Sequence, residues 1–201
     1  MPDLGPTFQP SDVEIIERKR VFDGFFKMDK YRLKHKRFAG GWTEAFEREL
    51  FERGEAAAVM LFDPQKDVVV LTEQIRVGGL TSSESPWMLE VVAGMIEAGE
   101  LPEEVARREA QEEAGCSPDQ LLPISCYWPS PGGCSEKIHL YCALVDSTPL
   151  GGIHGLDHEN EDILVRCIPF EQAYAGIASG EINNAATIIA LQWLKINKGS
   201  F

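Results

Sequence analysis

The segment from Gly94 to Gly115 constrains this chain more than any other. It reads Gly94-Met95-Ile96-Glu97-Ala98-Gly99-Glu100, then seven residues, then Arg108-Glu109-Ala110-Gln111-Glu112-Glu113-Ala114-Gly115. Beyond Pro102 the composition is helical and Gly115 is a natural stop, so a helix is expected from Pro102 to Ala114. On that helix Glu109 and Glu113 stand four apart and Glu112 stands three from Glu109, which puts three carboxylates on nearly one face. Like charges at this spacing cost an isolated helix a few tenths of a kcal/mol per pair, and the helix dipole disfavours anions near the C-terminus. A helix chosen for stability alone would not carry them there. A divalent cation reverses the balance, because hard carboxylate oxygens suit Mg2+ or Mn2+ and the ion becomes the dominant local charge. Taken without its flanking residues, E-x-x-E-E would be no more than the solvated face of an amphipathic helix.

The charge balance agrees with an acidic site. The chain has 201 residues, with 19 Lys and Arg against 32 Asp and Glu, a formal charge of −13. The imbalance is confined to one part: residues 1–56 carry 11 basic and 11 acidic side chains, residues 57–201 carry 8 and 21. Nucleic acid and anionic membrane surfaces demand a basic face, so neither is an expected partner. Five cysteines, with no C-x-x-C pair, suit a reducing compartment better than a disulfide framework or zinc site. The first residues, Met1-Pro2-Asp3-Leu4-Gly5-Pro6, lack the basic and apolar regions of a secretory signal. The longest apolar run, Ala56 to Phe62, is too short for a bilayer. A cytoplasmic protein is expected.

The remaining pattern is mixed. Strands are expected at Val13–Ile16, Phe25–Leu33, Ala57–Phe62, Val68–Leu71, Trp87–Val92, Leu122–Tyr127, Ile138–Leu144 and Ile163–Ile168. Asp63 to Asp67 reads as a hairpin loop, and the strand at Trp87 is expected to stop before Ala93-Gly94. A closing helix is expected from Ala185 to Lys195. This predicts an α/β (α+β) fold, a mixed sheet sandwiched between helices with an N-terminal antiparallel extension. The expected division is 1–55 and 56–201. The first part mixes nine basic residues between Arg18 and Arg37 with four aromatics, and is too small to fold alone.

The string around the helix fits G-x5-E-x7-R-E-U-x-E-E-x-G-U at Gly94, Glu100, Arg108, Glu109, Glu112, Glu113 and Gly115. In this the chain resembles the Nudix hydrolases. The aliphatic U positions are the small Ala110 and Cys116, a departure in size but not in polarity. The resemblance implies the Nudix fold and a divalent-cation pyrophosphohydrolase. It assigns Glu109, Glu112 and Glu113 to both catalysis and metal ligation, with the Ala93 carbonyl and Glu161 as further ligands. Gly94, Glu100, Arg108 and Gly115 would shape and orient the box. The implied cofactor is Mg2+, or Mn2+ in its place, two or three ions per active site. Glu159, in the acidic run Asp157-His158-Glu159-Asn160-Glu161-Asp162, matches the general base; read alone, that run is a solvated loop.

Ser130-Pro131-Gly132-Gly133 and further segments along nearly the whole chain are similar to the Nudix enzymes acting on ADP-ribose. That implies ADP-ribose as the substrate, cleaved to AMP and ribose 5-phosphate. Arg48, Arg53 and Arg76 then match substrate-contacting arginines, and guanidinium suits phosphate. Phe25 and Phe26 match an adenine-contacting pair, and Met95, Ser130, Pro131, Gly132 and Glu136 the remaining contacts. The resemblance also implies a homodimer, paired through the N-terminal segment, whose active sites are shared between chains. Another nucleoside diphosphate sugar, such as GDP-mannose or ADP-glucose, is the alternative substrate; a non-catalytic nucleotide sensor is the alternative class. The four histidines show no ligand spacing and receive no role.

Overall fold

The computed structural model describes residues 4–81, 85–156, 158 and 160–201. The chain divides into two compact units: residues up to Gly54 together with Ser130–Glu136, and Glu55–Pro129 together with Lys137–Phe201.

The larger unit is built on β4 (Glu55–Asp63) and β5 (Val68–Ile75), joined by a tight hairpin. Around them lie β6 (Trp87–Glu90), β7 (Val92–Met95), β8 (Leu122–Tyr127), β9 (Lys137–Leu144), β10 (Gly152–His154) and β11 (Ile163–Pro169). The sheet runs β10-β11-β5-β4-β9-β8, and β4 and β9 pair in parallel, which makes it mixed. Helix α1 (Pro102–Ala114) covers one face; α2 (Phe170–Ser179) and α3 (Ala185–Asn197) cover the other. Among the described residues no helix is long and apolar enough to cross a membrane.

The sandwich explains the unbroken apolar run in β4. Strand side chains alternate, so Ala57, Val59 and Leu61 face α1 while Ala58, Met60 and Phe62 face α2 and α3. A strand buried on both faces has no polar side to show. Helix α1 presents Val105, Ala106, Ala110 and Ala114 to the sheet, all fully buried. The small residue at position 110 is therefore a core residue, as its apolar character requires.

Strands β6 and β7 depart from expectation. A single strand ending before Ala93-Gly94 was the sequence reading; instead the chain breaks at Val91 and continues through Ala93 and Gly94 to Met95. The reason is a change of partner. β4 and β5 pair only near their hairpin, over Leu61–Asp63 and Val68–Val70. Beyond it they diverge, and the bent segment fills the gap. Its first half pairs with β5 (Thr72↔Glu90 to Ile75↔Trp87), its second with β4 (Ala56↔Met95 to Val59↔Val92).

The smaller unit is a three-stranded antiparallel sheet of β1 (Val13–Asp23), β2 (Lys27–His35) and β3 (Phe46–Glu52). Register shifts at Ile15/Glu17 and Arg20/Phe22 bend β1. Asp29 is buried on β2 between the guanidinium groups of Arg18 and Arg20. The segment Ser130–Glu136 is tied to β3, where Phe51 N–H donates to the Gly133 carbonyl at 2.8 Å and Ser135 N–H to the Phe51 carbonyl at 3.0 Å. β1 is exposed along its length, and Val13, Ile15, Ile16, Val21 and Phe22 are all among its solvent-facing residues. Phe25 and Phe26 lie in the β1–β2 turn and not within the strand expected from position 25.

Candidate active site

The acidic face of α1 meets the backbone of β7. Proline at the first helical position starts α1, and Gly115, at φ +64°, stops it in the left-handed region. Glu113 projects inward and is 2% exposed. Its carboxylate accepts from the Ala93 N–H at 3.2 Å and from the Gln74 amide at 3.2 Å. Burial nevertheless dominates and pushes its pKa up to about 8, with the Glu109 charge acting in the same direction and Arg76 opposing it. Glu109 is also raised, first by burial, then by the charges of Glu112 and Glu161, against the opposing pull of Arg108.

Glu109 lies directly against Gly94. A Cβ built on that glycine would stand 1.8 Å from Glu109 Oε1, so only hydrogen fits there. The Arg108 guanidinium holds the outer carboxylates: it donates to Glu109 Oε1 at 2.7 Å and Glu112 Oε2 at 3.2 Å, and lies 3.5 Å from Glu100 Oε1. Glu100 in turn accepts from the Glu97 N–H at 2.8 Å and closes the loop before the helix. Glu161 lies in the segment between β10 and β11, near enough for its charge to raise the pKa of the Glu109 carboxyl. At Gly155, with φ +103°, the backbone comes so near Glu161 that a Cβ would lie 2.7 Å from the Glu161 carbonyl oxygen. Glu159 and Asp157 lie outside the described residues.

The structure thus brings together Ala93, Gly94, Glu100, Arg108, Glu109, Glu112, Glu113 and Glu161. Gly115 caps the helix beneath them, and Met95 ends β7 partly exposed. Arg76 is near enough to Glu113 to influence its titration, though its guanidinium is paired with Glu90 at 2.5 Å. Gln74 and Glu90 were assigned no role from the sequence. Their signal was alternation on neighbouring strands, which puts Gln74 on the α1 face of β5, and nothing in the motif marks it.

Other expected contacts gather within the smaller unit. Arg53 pairs with Glu136 at 3.0 Å and lies 5.5 Å from the Phe26 ring centroid. Phe25 packs edge-on to Phe26, yet is 84% exposed. Ser130, Pro131 and Gly132 form a turn closed by the Cys134 N–H on the Ser130 carbonyl at 3.0 Å. Arg48 stacks on Phe46 instead, at 4.6 Å.

Among the described residues no three His, Cys, Asp or Glu side chains are grouped as a finished ligand shell. Arg108 occupies two of the carboxylates and Glu113 faces its own donors. The donor set still suits a hard cation. It is all oxygen, its carboxylates are mutually repulsive, and it includes two acids, Glu109 and Glu113, whose charged forms burial disfavours.

The NUDIX domain family matches residues 52–191. The chain belongs to the Nudix family. Its ADP-ribose pyrophosphatase relative from Escherichia coli (strain K12) is 51% identical over 195 residues, covering 97% of this chain and 93% of that protein. The ADP-ribose pyrophosphatase of Haemophilus influenzae is 46% identical, covering 94% and 89%. A GDP-mannose pyrophosphatase from Pectobacterium atrosepticum is 35% identical, covering 90% and 93%. The crystal structure of an ADP compounds hydrolase superposes with a TM-score of 0.68 at 21% identity, over 96% of this chain and 98% of that one, which supports the Nudix fold described above.

The buried Glu113 yields a prediction for the cation-free protein. Its folded pKa lies above the ordinary 4.5, so the stability it contributes is full below that value and is lost as pH rises through about 8. Glu113→Gln removes the charge but keeps an acceptor oxygen. In EDTA at about pH 9 the variant is expected to melt above the wild type, with the advantage gone near pH 4. A lower melting temperature at both pH values would contradict the account.

Proposed function

We propose that this chain is a Mg2+-dependent pyrophosphohydrolase that cleaves ADP-ribose to AMP and ribose 5-phosphate. The observation that carries the reading is the placement of Glu113 and Glu109 against the Ala93–Gly94 backbone, with Glu112 and Glu161 near enough for their charges to act on Glu109. The 51% identity to an ADP-ribose pyrophosphatase over nearly the full chain supports the choice of substrate.

Those four carboxylates and the Ala93 carbonyl are the groups that would hold Mg2+, or Mn2+ in its place, with two or three ions per site. When bound, the ions neutralise the pyrophosphate oxygens and lower the pKa of the attacking water. The protein's own part is positioning. Gln74 and the Ala93 N–H fix Glu113, while Arg108 and Glu100 hold the outer glutamates in register. Glu159 takes a proton from the water that attacks phosphorus. Arg48, Arg53 and Arg76 hold the diphosphate, Phe25 and Phe26 stack on adenine, and Glu136 accepts from hydroxyls of the terminal ribose. Met95 and the Ser130-Pro131-Gly132 turn complete the substrate contacts.

The protein acts as a cytoplasmic homodimer paired through the smaller unit, with each active site drawing on both chains. The run of exposed apolar residues along β1 supports pairing there, since such a surface is better covered than left in water. Light scattering should give twice the monomer mass; a fully active monomer would exclude the pairing.

A panel of nucleoside diphosphate sugars assayed with Mg2+ tests the substrate, and ADP-ribose is expected to have the highest kcat/KM. The Pectobacterium relative makes GDP-mannose the competitor, and its ranking first would replace the reading. Glu159→Gln is expected to lower kcat by about 10²- to 10⁴-fold with little change in KM. An unchanged kcat would remove Glu159 from the mechanism.

A further inference from the structure

The bent segment β6–β7 carries Ala93 and Gly94 to the acidic helix, and its bend is held from the opposite side of the sheet. At Val91 the chain leaves β5 and has not yet joined β4, so its N–H falls between two ladders. That N–H donates to the Thr187 hydroxyl at 2.9 Å, in a place where Val91 and Thr187 are both buried. Two residues earlier the Leu89 carbonyl accepts from the Asn184 side-chain amide at 2.7 Å. Asn184 is also the N-cap of α3, its Oδ1 accepting from the Thr187 N–H at 3.0 Å. The first turn of α3 and the bend are thereby locked as one piece.

The path to the site is short. Val92 is fully buried beside Val91, and the next residue, Ala93, donates its N–H to Glu113. Gly94 follows, with Glu109 packed on its Cα. These contacts fall on four consecutive residues of one chain segment, Val91 to Gly94. A sub-ångström shift of Val91 would pass directly to the Ala93 carbonyl and to the face that accepts Glu109.

We propose that Asn184 and Thr187 are positioning residues for the reaction, setting the depth at which Ala93 and Gly94 meet Glu113 and Glu109. The proposal rests on the pyrophosphohydrolase reading of that site, and adds to it two residues that touch neither substrate nor cation. Thr187→Val keeps the shape and removes the acceptor, leaving the Val91 N–H buried and unpaired. Thr187→Ser restores the acceptor. Asn184→Ser keeps a helix cap but is too short to reach the Leu89 carbonyl.

The test is Mn2+ titration of the full chain followed by electron paramagnetic resonance, in parallel with ADP-ribose kinetics and thermal melts. Thr187→Val is expected to weaken Mn2+ binding and lower kcat by about 10- to 100-fold, with KM for ADP-ribose little changed. Thr187→Ser should recover both. If Thr187→Val does not fold, Asn184→Ser should show the same pattern to a smaller degree. A variant that melts earlier yet binds Mn2+ and turns over as the wild type does would reduce these residues to structural support. Failure of Thr187→Ser to recover either property would also overturn the proposal. Wild-type protein that binds Mn2+ but leaves ADP-ribose intact would count against the substrate reading alone, since the Mn2+ comparison among variants stands without it.

Discussion

Mutual repulsion among carboxylates is the constraint around which the larger unit is arranged. Glu109, Glu112 and Glu113 crowd the second half of α1, and Glu161 adds its charge from a separate loop. Water cannot screen Glu113, which is buried, and the helix dipole is unfavourable at that end. The fold answers with several partial compensations. Arg108 spans Glu100, Glu109 and Glu112; Gln74 and the Ala93 N–H serve Glu113; Gly94 leaves space where a side chain would collide. None of these neutralises the cluster, because one guanidinium faces several acids. What remains is a site that favours a divalent cation by charge and by ligand chemistry.

The rest of the sandwich reads as support for that arrangement. Alanines on the inner side of α1 rest on Ala57, Val59 and Leu61, and the helix lies along the sheet on a face of small residues. The opposite face of the same strands anchors α2 and α3 through larger side chains such as Phe62, Phe170 and Leu191. Polar contacts from α3 then cross to the β6–β7 bend, so the two sides of the sheet are joined at the strand that bears the backbone half of the site.

Much of this was legible in the residues themselves. The helix Pro102–Ala114 and its glycine stop were marked by composition, and the strands β4, β5, β8, β9 and β11 by apolar runs. Short elements escaped. α2 opens with Phe-Glu-Gln and lacks a side-chain cap, so no start signal separates it from β11. β3 carries Phe46, Leu50 and Phe51 among charged residues without a period-two alternation, and β10 has three residues. The bend at Val91 was out of reach for a different reason: Ala93-Gly94 looks like a terminator locally, and only the divergence of β4 from β5 gives it a strand to join. Gln74 shows the same limit at the site, because its importance comes from facing Glu113 across 39 positions of chain.

The parallel pairing of β4 with β9 has a kinetic side. Ala56 lies opposite Ile138, 82 positions further along (138 − 56), and every other pairing of β4 is antiparallel. Closing so long a loop costs chain entropy before any contact rewards it, and non-local pairs of this kind slow folding. The whole of α1 and the β6–β7 bend lie inside that loop. The carboxylate cluster therefore belongs to the slow, long-range part of the fold, while the local β4–β5 hairpin is free to form early.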